Sequence, residues 1–188
     1  MKKILMVIDA QYDFLDNGKL GVANSIEKID NLTRYVEEHG KDYVMAISTV
    51  DFHPITHCSF KENGGEWPTH CVQHSYGASI YEPLLQALNN NTKSFRILTK
   101  GMNEDHEEYS IFKNTHSCAE ILKLCNVLGI EEIDMCGIAL DYCVKDSAKD
   151  GKRYLPHIKF NIMKDFCPSI GNAETTLKDL KNNGFEII

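Results

Sequence analysis

The stretch KKILMVID occupies residues 2–9 and contains five consecutive apolar side chains, from Ile4 to Ile8, ahead of Asp9. A half-exposed strand alternates apolar and polar residues, whereas a continuous apolar run is typical of a parallel strand buried on both faces. We therefore predict a central strand that ends at an aspartate.

Further strands and helices alternate along the rest of the chain. Such alternation is typical of a parallel sheet with helices on both faces, joined by right-handed crossovers. We predict an α/β protein: a single domain with a doubly wound parallel sheet in a Rossmann-like, three-layer α/β/α arrangement. The predicted strands are 2–9, 42–51, 95–100, 132–139, 157–165 and 185–188, and the predicted helices are 23–40, 117–130, 142–152 and 172–183.

The composition indicates a globular protein that acts on small molecules. The 188 residues are 43% hydrophobic and 25% charged, which fits one domain with a substantial core. A net charge of −7 argues against a nucleic-acid partner or an anionic membrane. The N-terminal apolar run meets Asp9 too early for a signal peptide, and no segment is long enough to span a membrane. We expect a cytoplasmic protein, and the sequence is compatible with a monomer or a homo-oligomer.

A long segment without helical or strand periodicity, residues 52–79, interrupts the alternation. Loops of this length in compact domains are usually functional or disordered. The segment contains Trp67, Cys71 and four histidines, a composition that argues against plain disorder. We expect this loop to contribute to a site.

Polar residues follow several of the predicted strands. Asp9 follows the first strand, Asp51 and His53 the second, Lys100 the third, and residues 137–143 the fourth. Parallel strands place their carboxyl ends at one edge of the sheet, where ligands of doubly wound folds bind. These residues should therefore converge on one crevice.

An acid, a cation and a thiol in this crevice predict an activated nucleophile. Strand ends are also where charges commonly return to solvent, and an isolated cysteine is more often a packing residue than a nucleophile. The seven cysteines have no repeating spacing, so we expect free thiols. The thiolate is the reactive form, and a nearby ammonium or a helix N-terminus lowers a thiol pKa. We predict Cys143 as nucleophile, Asp9 as proton acceptor and Lys100 as the charge that tunes both.

A second set of residues predicts a metal site. Asp51, His53 and the more distant His70 offer one carboxylate and two imidazoles, a donor set suited to zinc, manganese or iron(II). We expect one divalent ion, with zinc favoured. The same loop offers further candidate ligands, namely His57, His74, Glu62 and Glu66.

Six motifs together resemble the nicotinamidase branch of the isochorismatase-like cysteine hydrolases. They occur in order over nearly the whole chain: VIDAQYDF (7–14), DFHP (51–54), EWPTHCV (66–72), LTKGMN (98–103), EYSIF (108–112) and CGIALDYCV (136–144). The pairing of D-x-H with W-P-x-H-C resembles the metal-containing nicotinamidases in particular.

This resemblance implies an isochorismatase-like fold and a role for each matching residue. It implies a Cys143 nucleophile, Asp9 as general base and later acid, Lys100 as third triad member, and metal binding by Asp51, His53 and His70. It also implies a cis peptide bond before Ala139, an oxyanion hole from the backbone amides of Ala139 and Cys143, and ring contacts from Phe14, Trp67 and Tyr109. The implied reaction is hydrolysis of nicotinamide to nicotinate and ammonia in NAD salvage, and the implied metal is zinc.

Three other interpretations remain open at this stage. A related cysteine amidohydrolase for carbamoyl, ureido or broad aryl amide substrates would share the triad but not the use of the metal. An iron(II) oxygenase could use an Asp and two His ligands, but such enzymes usually have a double-sheet barrel instead of alternating strands and helices. A phosphoacceptor signalling module would leave Cys143 and Trp67 unexplained.

Overall fold

A computed structural model describes all 188 residues, and its centre is a parallel sheet of six strands. The strand order is β3-β2-β1-β4-β5-β6, and every neighbouring pair is parallel. The predicted α/β fold with a doubly wound sheet is confirmed. The strands are β1 (Lys3–Ile8), β2 (Met45–Asp51), β3 (Phe95–Lys100), β4 (Glu132–Gly137), β5 (Lys159–Ile162) and β6 (Glu186–Ile187).

Strand β1 lies in the middle of the sheet, as its continuous apolar run predicted. Residues Ile4 to Ile8 are fully buried, and β1 pairs with β2 on one side and β4 on the other. The strand order reverses at the β1–β4 boundary, which creates a crevice at the carboxyl ends of these strands. At this boundary a side chain on Gly137 would lie 2.0 Å from the carbonyl oxygen of Ile8, so only glycine fits.

Five α-helices connect the strands and cover the sheet. Helix α2 (Glu82–Asn91) was not predicted from the sequence, because it is only ten residues long, ends in an asparagine run and contains a proline. That proline lies in the first turn, where it needs no hydrogen-bond acceptor. No helix is long and apolar enough to cross a membrane. The helices are α1 (Ser25–His39), α2 (Glu82–Asn91), α3 (Thr115–Leu128), α4 (Lys145–Tyr154) and α5 (Ala173–Asn182).

The apolar residues of FRIL, 95–98, suggest a buried strand, but β3 is not buried over most of its length. Strand β3 is an edge strand, and Arg96 and Ile97 are exposed. Only its last residue, Lys100, is fully buried, because its ammonium lies against the carboxylates of Asp9 and Asp51 in the crevice.

Candidate active site

The crevice at the carboxyl ends of the strands contains a narrow pocket. Nine of the twelve lining residues are hydrophobic, and Asp51, His70 and Glu107 provide polar groups. The predicted nucleophile Cys143 also lines the pocket.

The structure brings Asp9, Lys100 and Cys143 together beneath this pocket. The Lys100 ammonium lies 2.8 Å from a carboxylate oxygen of Asp9 and 3.4 Å from Cys143 Sγ. The other Asp9 oxygen accepts a hydrogen bond of 2.6 Å from the hydroxyl of Thr49. All three side chains are buried, so their interactions are screened little by water.

The pKa shifts of this cluster describe a thiol that is protonated at rest. Burial raises the pKa of the Cys143 thiol well above its ordinary value, although Lys100 acts in the opposite direction. The ammonium acts to lower the thiol pKa as predicted, but desolvation and two nearby carboxylates outweigh it. Burial also raises the pKa of Asp9, against the opposing charge of Lys100. A raised Asp9 pKa makes this carboxylate a better proton acceptor for the thiol.

The predicted nucleophile, Cys143, lies on a short π-helical turn, Leu140–Val144, that leads into α4. The peptide bond between Ile138 and Ala139 is cis, as the resemblance implied. The carbonyl of Ala139 accepts hydrogen bonds from the amides of Tyr142 and Val144, at 3.2 and 3.1 Å. These bonds hold the Ala139 backbone against the turn that carries Cys143.

The carboxylate of Asp141 attaches a neighbouring loop to this turn. It accepts hydrogen bonds from the amides of Ile170 and Gly171, at 3.0 and 2.7 Å. The amide of Leu140 donates to Pro168 in the same loop, at 2.8 Å. Ile170 thereby becomes a wall of the pocket.

The three predicted metal ligands also lie together, directly beside the triad. One donor atom from each of Asp51, His53 and His70 falls within 4.8 Å of the others. All three side chains are buried. One oxygen of Asp51 accepts a short hydrogen bond from Lys100, and the other lies 3.6 Å from His53 Nε2. Asp51 therefore belongs to both clusters.

The hydrogen bonds of the two histidines favour metal binding. In each ring Nδ1 lies 2.8 Å from a backbone carbonyl, that of Gly101 for His53 and that of Pro68 for His70. A carbonyl accepts only, so Nδ1 carries the proton and Nε2 presents its lone pair, as in many metal-bound histidines. His53 Nε2 is buried without a hydrogen-bond partner. The donor set therefore fits a divalent ion.

The charges at this site point the same way. Burial acts to raise the pKa of Asp51, but the nearby charge of Lys100 holds it well below its ordinary value. Burial lowers the pKa of His70, so this imidazole is neutral at pH 7 and can donate its lone pair. Two carboxylates facing one ammonium leave an excess of negative charge, which favours a cation.

The other candidate ligands in the loop are directed elsewhere. His57 Nδ1 lies 2.7 Å from Ser59 Oγ and its Nε2 lies 3.2 Å from the carbonyl of His106, so both ring nitrogens have partners. His74 is exposed and packs edge-on against a phenylalanine ring. Glu62 and Glu66 are exposed, and Glu62 accepts a hydrogen bond from Thr69.

Phe14, Trp67 and Tyr109, the predicted ring contacts, all line the pocket. The indole nitrogen of Trp67 donates to the Tyr109 hydroxyl at 2.9 Å, which fixes the two aromatic side chains relative to each other. Five further lining residues were not predicted from the sequence. They are Leu20, Val22, Glu107, Tyr142 and Ile170.

Glu107 is the missed residue with the clearest electrostatic effect. Burial, and then the charge of Asp51, raise the pKa of its carboxyl group. Glu107 belongs to the acidic run NEDHEE, residues 103–108, which resembles an ordinary solvated loop. No signal in the sequence distinguishes it from its acidic neighbours.

Comparisons with known proteins agree with this geometry. No protein-family profile matches the chain. The chain is 29% identical to the nicotinamidase of Saccharomyces cerevisiae over 174 residues, which cover 78% of this chain and 79% of the yeast protein. A pyrazinamidase of Pyrococcus horikoshii, solved in complex with zinc, is 29% identical with a TM-score of 0.86, covering 100% of this chain and 99% of that one. A structure from L. infantum in complex with nicotinate is 26% identical with a TM-score of 0.87, covering 100% of this chain and 92% of that one.

The fold, the buried thiol and these similarities define an amidohydrolase with the isochorismatase-like α/β/α architecture. Within that class, the homologues of this chain are the nicotinamidases and pyrazinamidases.

Proposed function

We propose that the chain is a nicotinamidase that hydrolyses nicotinamide to nicotinate and ammonia and thereby serves NAD salvage. The observation that carries this proposal is the shared carboxylate of Asp51, which joins a thiol–acid–lysine cluster to an Asp-His-His donor set at the base of one small pocket. Such a site can hold an aromatic ring and place its carboxamide beside a thiol. A related amidohydrolase for other amides would have no use for the donor set.

The proposed residue roles follow from this arrangement. Asp9 takes the proton of the Cys143 thiol, and the sulfur attacks the carboxamide carbon. The backbone amides of Ala139 and Cys143 form the oxyanion hole for the tetrahedral oxygen. Asp9 returns the proton to the departing nitrogen, which leaves as ammonia. Water, deprotonated by Asp9, then hydrolyses the thioester, which releases nicotinate and restores the thiol.

Asp51, His53 and His70 would hold one divalent ion, for which we favour zinc. When bound, the ion would supply a Lewis-acid contact that orients the ring nitrogen of the substrate. The Lys100 ammonium keeps Asp9 and Asp51 close together although both are carboxylates. Phe14, Trp67 and Tyr109 would contact the faces and edges of the ring.

We further propose that residues 1–188 form one isochorismatase-like domain with a metal-binding loop at 52–79. We expect it to act in the cytoplasm without a nucleic-acid or membrane partner. The net charge of −7 and the small pocket support a small-molecule partner only. Homo-oligomer formation is compatible with this proposal.

The experiment is ammonia release from nicotinamide by the purified protein, before and after removal of metal by a chelator. We expect release that disappears on chelation and returns with added zinc. His70→Ala should abolish the return, whereas His74→Ala, a matched change on the exposed side of the same loop, should not. No release from zinc-loaded protein would overturn the nicotinamidase proposal. Pyrazinamide, tested in parallel, would show how strictly the pocket selects the ring.

A further inference from the structure

Two buried polar residues of the stretch DAQYDF, residues 9–14, have no role in the proposed chemistry. Asp9 belongs to the triad and Phe14 lines the pocket, but Gln11 and Asp13 contact neither the thiol nor the pocket space. Gln11 is fully buried and Asp13 is 5% exposed. Buried polar side chains of this kind are retained only where each has hydrogen-bond partners.

Gln11 makes three hydrogen bonds, and two of them hold the backbone of Asp51. Its Oε1 accepts from the Asp51 amide and its Nε2 donates to the Asp51 carbonyl, each at 2.8 Å. The third bond runs from Nε2 to the carbonyl of Ala78, also at 2.8 Å. After Asp9 the backbone turns away from β2. The side-chain amide of Gln11 therefore makes the hydrogen bonds to Asp51 that the backbone of a longer β1 would make.

Asp13 holds the other arm of the donor set. Its carboxylate accepts a hydrogen bond of 2.7 Å from the amide of Cys71, the residue that follows His70. Cys71 has a positive φ of 45°, which turns the chain sharply after His70. The carboxylate also packs directly against Gly77, where a Cβ atom would lie 2.1 Å from it.

We propose that Gln11 and Asp13 are positioning residues that set the separation of Asp51 and His70 and thereby the affinity of the site for its metal ion. The inference rests on the proposed function, because it assumes that these donors bind an ion. One short segment then anchors the proton acceptor and both arms of the donor set: Asp9 directly, Asp51 through Gln11, and His70 through Asp13. Without the Gln11 side chain, the buried amide and carbonyl of Asp51 lose their hydrogen-bond partners. The Asp51 carboxylate can then move toward Lys100 and away from His70.

The test is Gln11→Met, which keeps the length of the side chain and removes its hydrogen bonds. Zinc affinity is measured by competition with a chromophoric chelator, and the visible spectrum of the cobalt(II)-loaded protein reports ligand geometry. Changes in residues that orient metal ligands typically weaken metal binding about 10- to 100-fold, and we expect that range together with an altered cobalt spectrum.

The control is Asn161→Leu, which removes a buried amide that donates to Asp134 between β4 and β5, away from the crevice. It should lower the thermal midpoint of the metal-free protein but leave the zinc dissociation constant within about twofold, and the cobalt spectrum unchanged. If Gln11→Met does not fold, Asp13→Leu, which has a side chain of similar size but no acceptor for the Cys71 amide, is measured in the same way.

The outcomes separate the two proposals. Wild-type zinc affinity that survives in both Gln11→Met and Asp13→Leu overturns the positioning role and leaves the proposed function intact. A wild-type protein that binds no zinc overturns the metal site and this inference with it. Equal loss of affinity in Asn161→Leu would show that general destabilisation, not positioning, weakens the site.

Discussion

Replacing Lys100 with methionine should destabilise the fold strongly and in a pH-dependent way. The variant removes the only ammonium that faces Asp9 and Asp51 but keeps the length of the side chain. At the 2.8 Å separation between Lys100 Nζ and Asp9, the Coulomb attraction is about 6 kcal/mol at an effective dielectric constant of 20. Because the cost of desolvation offsets part of this, we expect the net loss to be about 3–5 kcal/mol of unfolding free energy at pH 7.

The direction of the pH dependence follows from Asp9 and Asp51, whose buried carboxylates lose their cation in this variant. Burial already raises the pKa of Asp9, and Lys100 is the largest influence that lowers it. In the variant the pKa of Asp9 in the folded protein therefore rises further above its ordinary value of about 4. The folded state then binds protons more tightly than the unfolded state, so the destabilisation is full above the raised pKa and shrinks as pH falls toward about 4.

The measurement is urea unfolding of metal-free protein between pH 4 and pH 8, with a surface ion pair as control. Lys149 lies 2.7 Å from Asp179, and both side chains are more than a third exposed. Lys149→Met should cost no more than about 1 kcal/mol, with little dependence on pH. Adding Asp9→Asn to Lys100→Met should restore part of the stability, because it removes one stranded charge, without restoring ammonia release.

A loss of less than about 1 kcal/mol in Lys100→Met, similar to that of the surface control, would contradict this reasoning. So would a double variant less stable than Lys100→Met itself, since the carboxylate would then stabilise the fold without its cation. Either result would mean that water or a rearranged side chain replaces the ammonium.

Three further predictions concern catalysis and the pocket wall. Cys143→Ala should abolish ammonia release and alkylation of the active-site thiol, and circular dichroism should show an unchanged fold; residual release would contradict a cysteine nucleophile. Because the pKa of Asp9 is raised and its carboxylate must accept a proton, kcat/KM should fall on acidification with a midpoint above about pH 4; a midpoint at or below that value would contradict the role of Asp9. Asp141→Ala removes the acceptor for the Ile170 and Gly171 amides, so KM for nicotinamide should rise severalfold with a smaller change in kcat; an unchanged KM would mean that the loop holds its position without Asp141.

The elements that position the site were largely predictable from local patterns. The apolar run of β1 predicted a central strand because burial on both faces leaves no polar positions. The convergence of strand ends follows from parallel topology, which places Asp9, Asp51 and Lys100 at one edge of the sheet. The family resemblance implied that His70 lies at the same edge as Asp51. The spacing of residues in the loop suggested this position but did not establish it.

The features that were missed depend on contacts between distant segments. The edge position of β3 is a property of strand order, which the composition of one strand does not report. Ile170 lines the pocket through a loop whose backbone is held by Asp141, 29 positions away. The exclusion of His57 as a ligand depends on which acceptors face its two ring nitrogens, and these come from Ser59 and the carbonyl of His106.

The double attachment of Asp51 has a consequence for how relatives of this protein can diverge. One oxygen of this carboxylate serves the lysine of the triad, and the other faces the two histidines. A descendant that lost the metal could change His53 and His70, but the buried ammonium of Lys100 would still need the hydrogen-bond acceptor that Asp51 provides. The two histidines can therefore be lost together, whereas Asp51 should be retained even in relatives that no longer bind a metal.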